Sequence, residues 1–281
     1  MVARQIRSLD GEKMALSYRE LCQSTPSNGV FRKEGLKALY PAFFLEIIKT
    51  ETRSGVSFVD ILQKQDKIKH LEEVAHRYKR MMDPLHYWKS IYAMFELWYG
   101  SINIFRPSIA KWLIEKYKPT VAVLDPCAGW GSRCLASMSC NIPYIGCDTN
   151  INLQDGYDRI KHLAPSASVK MVWAPAETID FTEYKYDMVL TSPPYFHLER
   201  YNNMPEYPTK KDFYYKFLIP TFLNAFNGLK TGGTMVLNFP KDFYVELSAF
   251  IGEADEILTM PIGGRMKTGH SEGIYVWKKA V

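Results

Sequence analysis

The 281-residue chain lacks several patterns that would assign it to a class at once. No apolar run approaches the ~18 residues that a membrane span needs, and the opening MVARQIRSLDGEK contains no apolar signal core. No internal repeat or low-complexity linker divides the chain. We therefore expect a protein that neither spans a membrane nor is secreted, and that acts inside the cell.

A metal-binding cysteine pattern is also missing. None of the five cysteines forms a CxxC pair, and four of them fall within about one β-α-β unit. We therefore expect no zinc or other metal site, and small, buried, reduced thiols of an intracellular protein. These cysteines are Cys22, Cys127, Cys134, Cys140 and Cys147.

The composition is that of a globular protein, and its charge is unevenly distributed. Apolar residues make up 47% and charged residues 23% of the chain, which excludes wholesale disorder. The net charge of +5 lies mainly in residues 1–100, which hold 16 basic and 12 acidic side chains, against 19 and 18 in residues 101–281. This excess permits nucleic-acid binding without requiring it.

Residues 1–100 are predicted to form an N-terminal helical region. Apolar residues recur three and four positions apart in this region, and Pro41 and Pro84 are predicted to interrupt the helices. Residues 1–30, which include STPSNG, are predicted to be an irregular or mobile lead-in. The predicted helices cover 35–50, 57–82 and 87–100.

Residues 101–281 alternate helices with short apolar strands, which predicts a second, α/β unit. Such alternation is typical of a mostly parallel sheet covered by helices on both faces. The segment between the last two strands, 263–272, is too short for a parallel crossover, so the last strand should be antiparallel. The seven predicted strands cover 120–125, 144–148, 169–174, 187–192, 234–239, 256–262 and 273–279. The predicted helices cover 107–117, 132–139, 151–163, 212–229 and 242–251.

A glycine loop follows the first predicted strand. The strand ends at Asp125, the loop contains Gly129 and Gly131, and a helix follows. Neither a GxGxxG fingerprint nor a GxxxxGK[ST] phosphate loop is present, so no pyrophosphate signature accompanies the glycines. The loop is predicted to bind a ligand at the carboxyl edge of the sheet, with Asp125 meeting a ligand ammonium. The alternative is a purely structural strand-to-helix turn.

A second acidic residue, Asp148, ends the second predicted strand. A carboxylate there can accept hydrogen bonds from both hydroxyls of a ribose. A glycine loop with a strand-two acid but no pyrophosphate signature indicates a nucleoside-bearing cofactor, and S-adenosylmethionine has that composition.

The segment Thr191–Tyr195, Thr-Ser-Pro-Pro-Tyr, follows the fourth predicted strand and should emerge at the same edge. Two prolines remove two N–H donors and stiffen the backbone, which leaves the Ser192 hydroxyl and nearby carbonyls as acceptors beside an aromatic ring. Acceptors beside a stacking surface suit a planar group that carries an NH2, such as a nucleobase. The alternative is a rigid proline-rich turn.

Together, Asp-Pro-Cys-Ala-Gly-Trp-Gly and the later Thr-Ser-Pro-Pro-Tyr resemble the class I S-adenosylmethionine-dependent DNA amino-methyltransferases, which methylate cytosine N4 or adenine N6. The resemblance covers residues 101–281 and implies a Rossmann-like fold, S-adenosylmethionine as cofactor and no metal. It implies cofactor-binding roles for Phe105, Arg106, Asp125, Cys127, Gly129, Gly131, Asp148, Ala176, Glu177 and Ser192. It implies catalytic roles for Ser192, Pro193, Pro194 and Tyr195.

The chain departs from the family pattern at a few positions. Trp130 and Arg133 replace smaller residues of the loop, and Pro175 stands where an aspartate is frequent. No long target-recognition segment follows Tyr195, and residues 1–100 have no counterpart in the resemblance.

The resemblance implies DNA as the partner, either single-stranded or double-stranded with the target base flipped out, in the cytoplasm or wherever the DNA is held. A serine at position 192 resembles the cytosine-N4 members. Adenine N6 is the first alternative, followed by an RNA or protein amino-methyltransferase and by a non-catalytic cofactor-binding subunit; an oligomer stays open. A cytosine-C5 enzyme is excluded because Pro126-Cys127 follows strand one, whereas that nucleophile belongs after strand four.

Three polar segments are candidates for holding nucleic acid. They are 197–211, 263–273 and the basic cluster Arg77, Lys79 and Arg80. Basic residues between aromatic ones suit phosphate contacts and base stacking, although each segment could equally be a solvated surface.

Overall fold

The structure is a computed structural model that describes residues 2–7, 10–25, 33–78, 84, 86–196, 204–259 and 272–280. Seven strands form one sheet in the order β3-β2-β1-β4-β5-β7-β6. They are β1 (Val123–Asp125), β2 (Tyr144–Asp148), β3 (Val169–Trp173), β4 (Met188–Thr191), β5 (Thr234–Pro240), β6 (Glu256–Thr259) and β7 (Glu272–Lys278).

Strand direction confirms the predicted fold class. All neighbours from β3 to β5 pair in parallel, whereas β7 is antiparallel to both β5 and β6. Strands β1, β4 and β5 are buried throughout, as expected for central strands with both faces covered. The chain therefore has the Rossmann-like, seven-stranded fold of class I methyltransferases.

Twelve α-helices lie among the described residues. They are α1 (Val2–Ile6), α2 (Gly11–Gln23), α3 (Leu36–Ile47), α4 (Phe58–Leu62), α5 (Gln65–Arg77), α6 (Tyr87–Tyr99), α7 (Pro107–Tyr117), α8 (Ser132–Ser139), α9 (Gln154–Lys161), α10 (Lys210–Phe213), α11 (Ile219–Gly228) and α12 (Lys241–Ile251). A π-helical turn at Tyr214–Leu218 joins α10 to α11, so the helix predicted over 212–229 is continuous but irregular.

The prediction of an irregular lead-in over residues 1–30 is wrong where the structure describes it. Helix α2 begins after Asp10, whose side chain accepts a hydrogen bond from the Glu12 backbone N–H. Its residues Met14, Tyr18 and Leu21 recur at helical spacing and are buried. The wrong prediction came from the polar run STPSNG, which indicated irregular structure for the whole segment. Most of that run lies outside the described residues.

Two further predictions in this region are corrected. Pro41 lies inside α3 rather than interrupting it. The single helix predicted over 57–82 is two helices, and α4 begins at a capping box in which Ser57 and Asp60 bond each other's backbone N–H groups. Residues 79–82 of that prediction lie outside the described residues.

The N-terminal helices belong to two different hydrophobic clusters. Residues of α2 and α3 share one cluster with α7, α8 and the sheet, whereas α1, α4, α5 and α6 pack around a cluster of their own, with Phe44 and Ile48. The ring of Phe43 in α3 lies against Gly131 of the glycine loop and against Gly156 in α9. The boundary predicted at residue 100 stays a prediction, but part of the helical region supports the sheet directly.

Candidate active site

A cavity of about 380 Å³ opens at the carboxyl ends of β1, β2, β4 and β5. Its size is suited to a small-molecule ligand. The cavity brings together most residues that the sequence placed in either site. These are Phe105, Arg106, Cys127, Gly129, Asp148, Ala176, Glu177, Ser192, Pro193, Pro194 and Tyr195. Asp125 and Gly131 are not on its wall.

Gly131 shapes the loop from behind the cavity. Its φ of +71° is a left-handed conformation that favours glycine, and it directly precedes α8. A Cβ at this position would lie 3.0 Å from the Phe43 ring and 3.0 Å from Ile160. Gly131 therefore supports the turn, and it does not line the cavity.

Asp125 is fully buried beneath the loop, so the expected contact of its carboxylate with a ligand ammonium is not available either. The positive charge that it meets is Arg133. The carboxylate accepts hydrogen bonds from Arg133 Nε at 2.7 Å, the Tyr144 hydroxyl at 2.7 Å, the Thr191 hydroxyl at 2.6 Å and the Cys127 N–H at 3.3 Å.

Arg133 lines the cavity with a guanidinium that is otherwise buried. Nη2 donates to the carbonyl oxygens of Cys127 and Ala128, and the Phe105 ring lies 5.4 Å from the guanidinium carbon. Burial by itself lowers the pKa of Arg133, but the Asp125 carboxylate reverses that effect and raises the pKa overall. Arg133 is therefore a permanent positive charge, and the sequence singled it out only as an unusual residue of the loop.

Asp148 presents a carboxylate to the cavity that is already fixed in place. Oδ2 accepts the Gly129 N–H at 2.8 Å, and Oδ1 accepts the Asn150 N–H at 2.9 Å. Burial raises the pKa of Asp148, although these two N–H groups counteract it. Because a carboxylate oxygen has two lone pairs, each oxygen can accept one further hydrogen bond, as a ribose diol would require.

Glu177 has a partner that the sequence did not identify. The Tyr207 hydroxyl donates to Glu177 Oε1 at 2.8 Å, and both side chains line the cavity. Burial and this hydrogen bond raise the pKa of Tyr207, which keeps the hydroxyl protonated. Tyr207 belongs to the candidate segment 197–211, of which residues 197–203 lie outside the described residues.

The Thr-Ser-Pro-Pro-Tyr segment forms another wall of the cavity. The Ser192 hydroxyl lies 3.5 Å from Asn238 Oδ1, and Asn238 Nδ2 donates to the Gly273 carbonyl at 3.1 Å. The Tyr195 ring packs edge-on against Phe243, with ring centroids 6.0 Å apart. Asn238 was not predicted; its only signal is a polar side chain near the end of the apolar strand TMVLNFP.

The remaining candidate surfaces are described only in part. Lys79, Arg80 and residues 263–271 lie outside the described residues, and Arg77 is exposed at the end of α5. Lys210 pairs with Asp242. In the described ranges, no group of three or more His, Cys, Asp or Glu could hold a metal ion, and no helix is long and apolar enough to cross a membrane.

No protein-family model matches the chain, and no curated protein matches it in sequence. Solved structures resemble it in fold. A candidate class I S-adenosylmethionine-dependent methyltransferase from Listeria monocytogenes has 12% identity and a TM-score of 0.48, covering 96% of this chain and 88% of its own. TrmN from Thermus thermophilus has 16% identity and a TM-score of 0.45, and the match covers 62% of this chain and 49% of TrmN.

An RNA methyltransferase from Salinibacter ruber, solved with S-adenosyl-L-homocysteine, has 12% identity and a TM-score of 0.42, covering 64% of this chain and 94% of its own. The match to TrmN, by contrast, spans only about half the length of that protein. At these identities and TM-scores, the likenesses carry no conclusion about activity.

Proposed function

We propose that this protein is an S-adenosylmethionine-dependent methyltransferase that modifies the exocyclic amino group of a nucleobase, with cytosine N4 in DNA as the favoured target. One observation carries the proposal: Asp148 and Ser192–Tyr195 line the same cavity. A nucleoside-binding acid and an acceptor-rich aromatic loop thus share one space.

The residues of the cavity fit the proposed cofactor. Asp148 has acceptor capacity for a ribose diol, and Ala176 and Glu177, to which the resemblance assigns contacts with adenine, line the same cavity. When bound, S-adenosylmethionine supplies an electrophilic methyl group on a positively charged sulfur. The chain itself needs to position the acceptor amine and complement the changing charge.

Ser192 and the Pro193 carbonyl are the groups proposed to activate the amine. An exocyclic amino nitrogen is a weak nucleophile because its lone pair is delocalised into the ring. Acceptors on its N–H bonds favour a pyramidal nitrogen and direct the lone pair outward. The nitrogen then forms a bond to the methyl carbon, the electrons of the broken carbon–sulfur bond stay on sulfur, and one amine proton leaves to solvent.

Tyr195 is proposed to stack against the target base. Its ring is held by Phe243 and lies two residues beyond Pro193, at the cavity wall. A base inside a duplex cannot reach this loop, so the target must be flipped out or already single-stranded.

Cytosine is favoured over adenine because of the residue at position 192. An aspartate there would carry a full negative charge and is associated by the resemblance with adenine, whereas the neutral serine resembles the cytosine-N4 members. Both bases present an NH2 beside a ring nitrogen, so the target atom is left to experiment.

The test is transfer of a labelled methyl group to DNA, RNA and protein in parallel. We expect label in DNA with the unaltered protein, and little with Tyr195→Ala. Val245→Ala, at an exposed position of α12, serves as the folded control and should retain activity. Label found only in RNA or only in protein would show that RNA or protein, and not DNA, is the substrate. No label in any of the three would refute the proposed methyltransferase activity.

A further inference from the structure

Arg133 places a buried positive charge on the cavity wall that the proposed chemistry does not yet use. Its relative exposure is 4%, and its Nε and Nη2 atoms bond Asp125 and the carbonyls of Cys127 and Ala128. These acceptors occupy the side of the guanidinium that contains Nε. Nη1 has no hydrogen-bond acceptor within the described part of the chain.

A carboxylate is the group that complements the remaining edge. An N–H of the Arg133 cation donates a charge-assisted hydrogen bond, for which a carboxylate oxygen is a strong acceptor. Asp125, itself fully buried, already compensates the charge of Arg133. The guanidinium is therefore held rigidly before any ligand arrives, which lowers the ordering cost of binding an anion at Nη1.

The position along the loop identifies which part of the ligand would arrive there. Gly129 donates to Asp148, the proposed ribose acceptor, and the two preceding residues, Cys127 and Ala128, accept from Arg133. Consecutive Cα atoms are only ~3.8 Å apart, so the two polar groups flank one short stretch of backbone. The amino-acid arm of a nucleoside bound at Asp148 would therefore extend along the stretch of loop that Arg133 also contacts.

We propose that Arg133 binds the carboxylate of the amino-acid arm of the cofactor, through Nη1, and thereby selects ligands that retain this group. The assignment rests on the proposed function, because it takes the ligand to be S-adenosylmethionine or its product. It differs from the expectation for this loop, in which Asp125 meets the ligand ammonium: here Arg133 offers a cation to the ligand carboxylate.

The test compares two ligands by calorimetry. One is S-adenosylhomocysteine, and the other is its decarboxylated analogue, in which hydrogen replaces the carboxylate and the amine is retained. The unaltered protein should bind the analogue about ten- to a hundredfold more weakly, as expected for the loss of a charged hydrogen bond.

Two variants assign the effect to one arginine. Arg133→Met combined with Asp125→Asn removes the cation without leaving a buried anion, and it should bind both ligands with nearly equal affinity. Arg19→Met is the control, because Arg19 is exposed on α2 and does not line the cavity. It should keep the full discrimination, and the comparison of the two ligands on the unaltered protein tests the proposal even if the double variant does not fold.

The outcomes separate the two proposals. Equal binding of both ligands by the unaltered protein, or full discrimination by a folded Arg133→Met/Asp125→Asn variant, would overturn the assignment to Arg133 and leave the proposed function standing. Failure of the unaltered protein to bind S-adenosylhomocysteine would overturn both.

Discussion

Two aspartates are the last residues of neighbouring strands of the sheet, and their surroundings give them different roles. Asp125 is fully buried, and its carboxylate binds Arg133 and two hydroxyl groups. Asp148 faces the cavity and is held by two backbone N–H groups. At the scale of single residues, Asp148 is therefore the acid available to a ligand, whereas Asp125 fixes the loop.

Replacing Asp148 with alanine should weaken S-adenosylhomocysteine binding roughly tenfold or more, because charged hydrogen bonds to the ligand are lost. The affinity of the unaltered protein should also decrease as pH falls. Burial raises the pKa of Asp148, so protonation begins at a higher pH than for an exposed aspartate, and the protonated group accepts ribose hydroxyls less well.

Calorimetry over a series of pH values below neutrality checks this expectation, with Asp148→Asn as the control that cannot titrate. An affinity that decreases equally with pH in the asparagine variant would show that another group titrates.

Tyr195→Ala should reduce methyl transfer while leaving cofactor affinity nearly unchanged. Stacking of a base on an aromatic ring is worth ~1–3 kcal/mol, which corresponds to a loss of roughly five- to 150-fold. Tyr195→Phe retains the ring and should retain most of the activity. Turnover and calorimetry on the same preparations separate the two effects. Intact turnover with lost cofactor affinity would mean that the residue holds the cofactor instead.

At the scale of secondary structure, the α/β half was predictable because its signals are local. Buried strands such as β4 are visible in the sequence as short apolar runs, and the glycines after β1 indicate a loop. Helix α8 was predicted over 132–139, and it begins and ends at these residues in the structure. The break between α4 and α5 was missed because no proline or glycine marks it; the capping box at Ser57 was its only local sign.

The contacts that complete the site could not be predicted, because they join residues far apart in the chain. Tyr207 and Glu177 are 30 positions apart, and Asn238 and Ser192 are 46 apart. No spacing rule connects such pairs. Arg133 and Asp125 are only eight positions apart, but their pairing depends on how the loop turns between β1 and α8.

Gly131→Ala should destabilise this turn more than a left-handed φ alone explains. Gly55 provides the matched control, because its φ is +68° and nothing lies within 4 Å of a Cβ placed there. Gly55→Ala should cost about 1–2 kcal/mol for the backbone conformation. Gly131→Ala should cost a further ~1–3 kcal/mol, because Phe43 and Ile160 are themselves packed.

Denaturant unfolding of the two variants measures the difference. Equal destabilisation would show that the contact with Phe43 contributes nothing to the turn.

At the scale of the whole molecule, N-terminal helices and sheet are joined by specific contacts as well as by apolar packing. Lys111 of α7 is buried, and its ammonium donates to the carbonyl oxygens of Leu21, Cys22 and Ser24 at the end of α2. Arg159 of α9 donates to the Pro41 carbonyl in α3. Hydrogen bonds to both α2 and α3 therefore join these helices to the α/β unit.

Lys111→Met should lower the free energy of unfolding by about 1.5–3 kcal/mol, because buried carbonyls lose a charged donor. Lys161→Met is the control: that lysine is partly exposed and pairs with Asp158 on the surface, so its loss should change stability by less than about 1 kcal/mol. Chemical denaturation of both variants checks the contrast. A similarly small loss of stability in both variants would mean that the Lys111 hydrogen bonds do not stabilise the contact between α2 and α7.

The most direct test of the whole account is the identity of the methylated nucleoside. DNA treated with the protein and S-adenosylmethionine is digested to nucleosides, which are separated by chromatography and identified by mass. The account predicts a methyl group on an exocyclic nitrogen, with N4-methylcytosine as the product. N6-methyladenine alone would change the base and leave amino-group methylation intact. A methyl group on carbon 5 of cytosine would contradict the account, because the Ser-Pro-Pro-Tyr loop offers acceptors for an amine and no cysteine nucleophile.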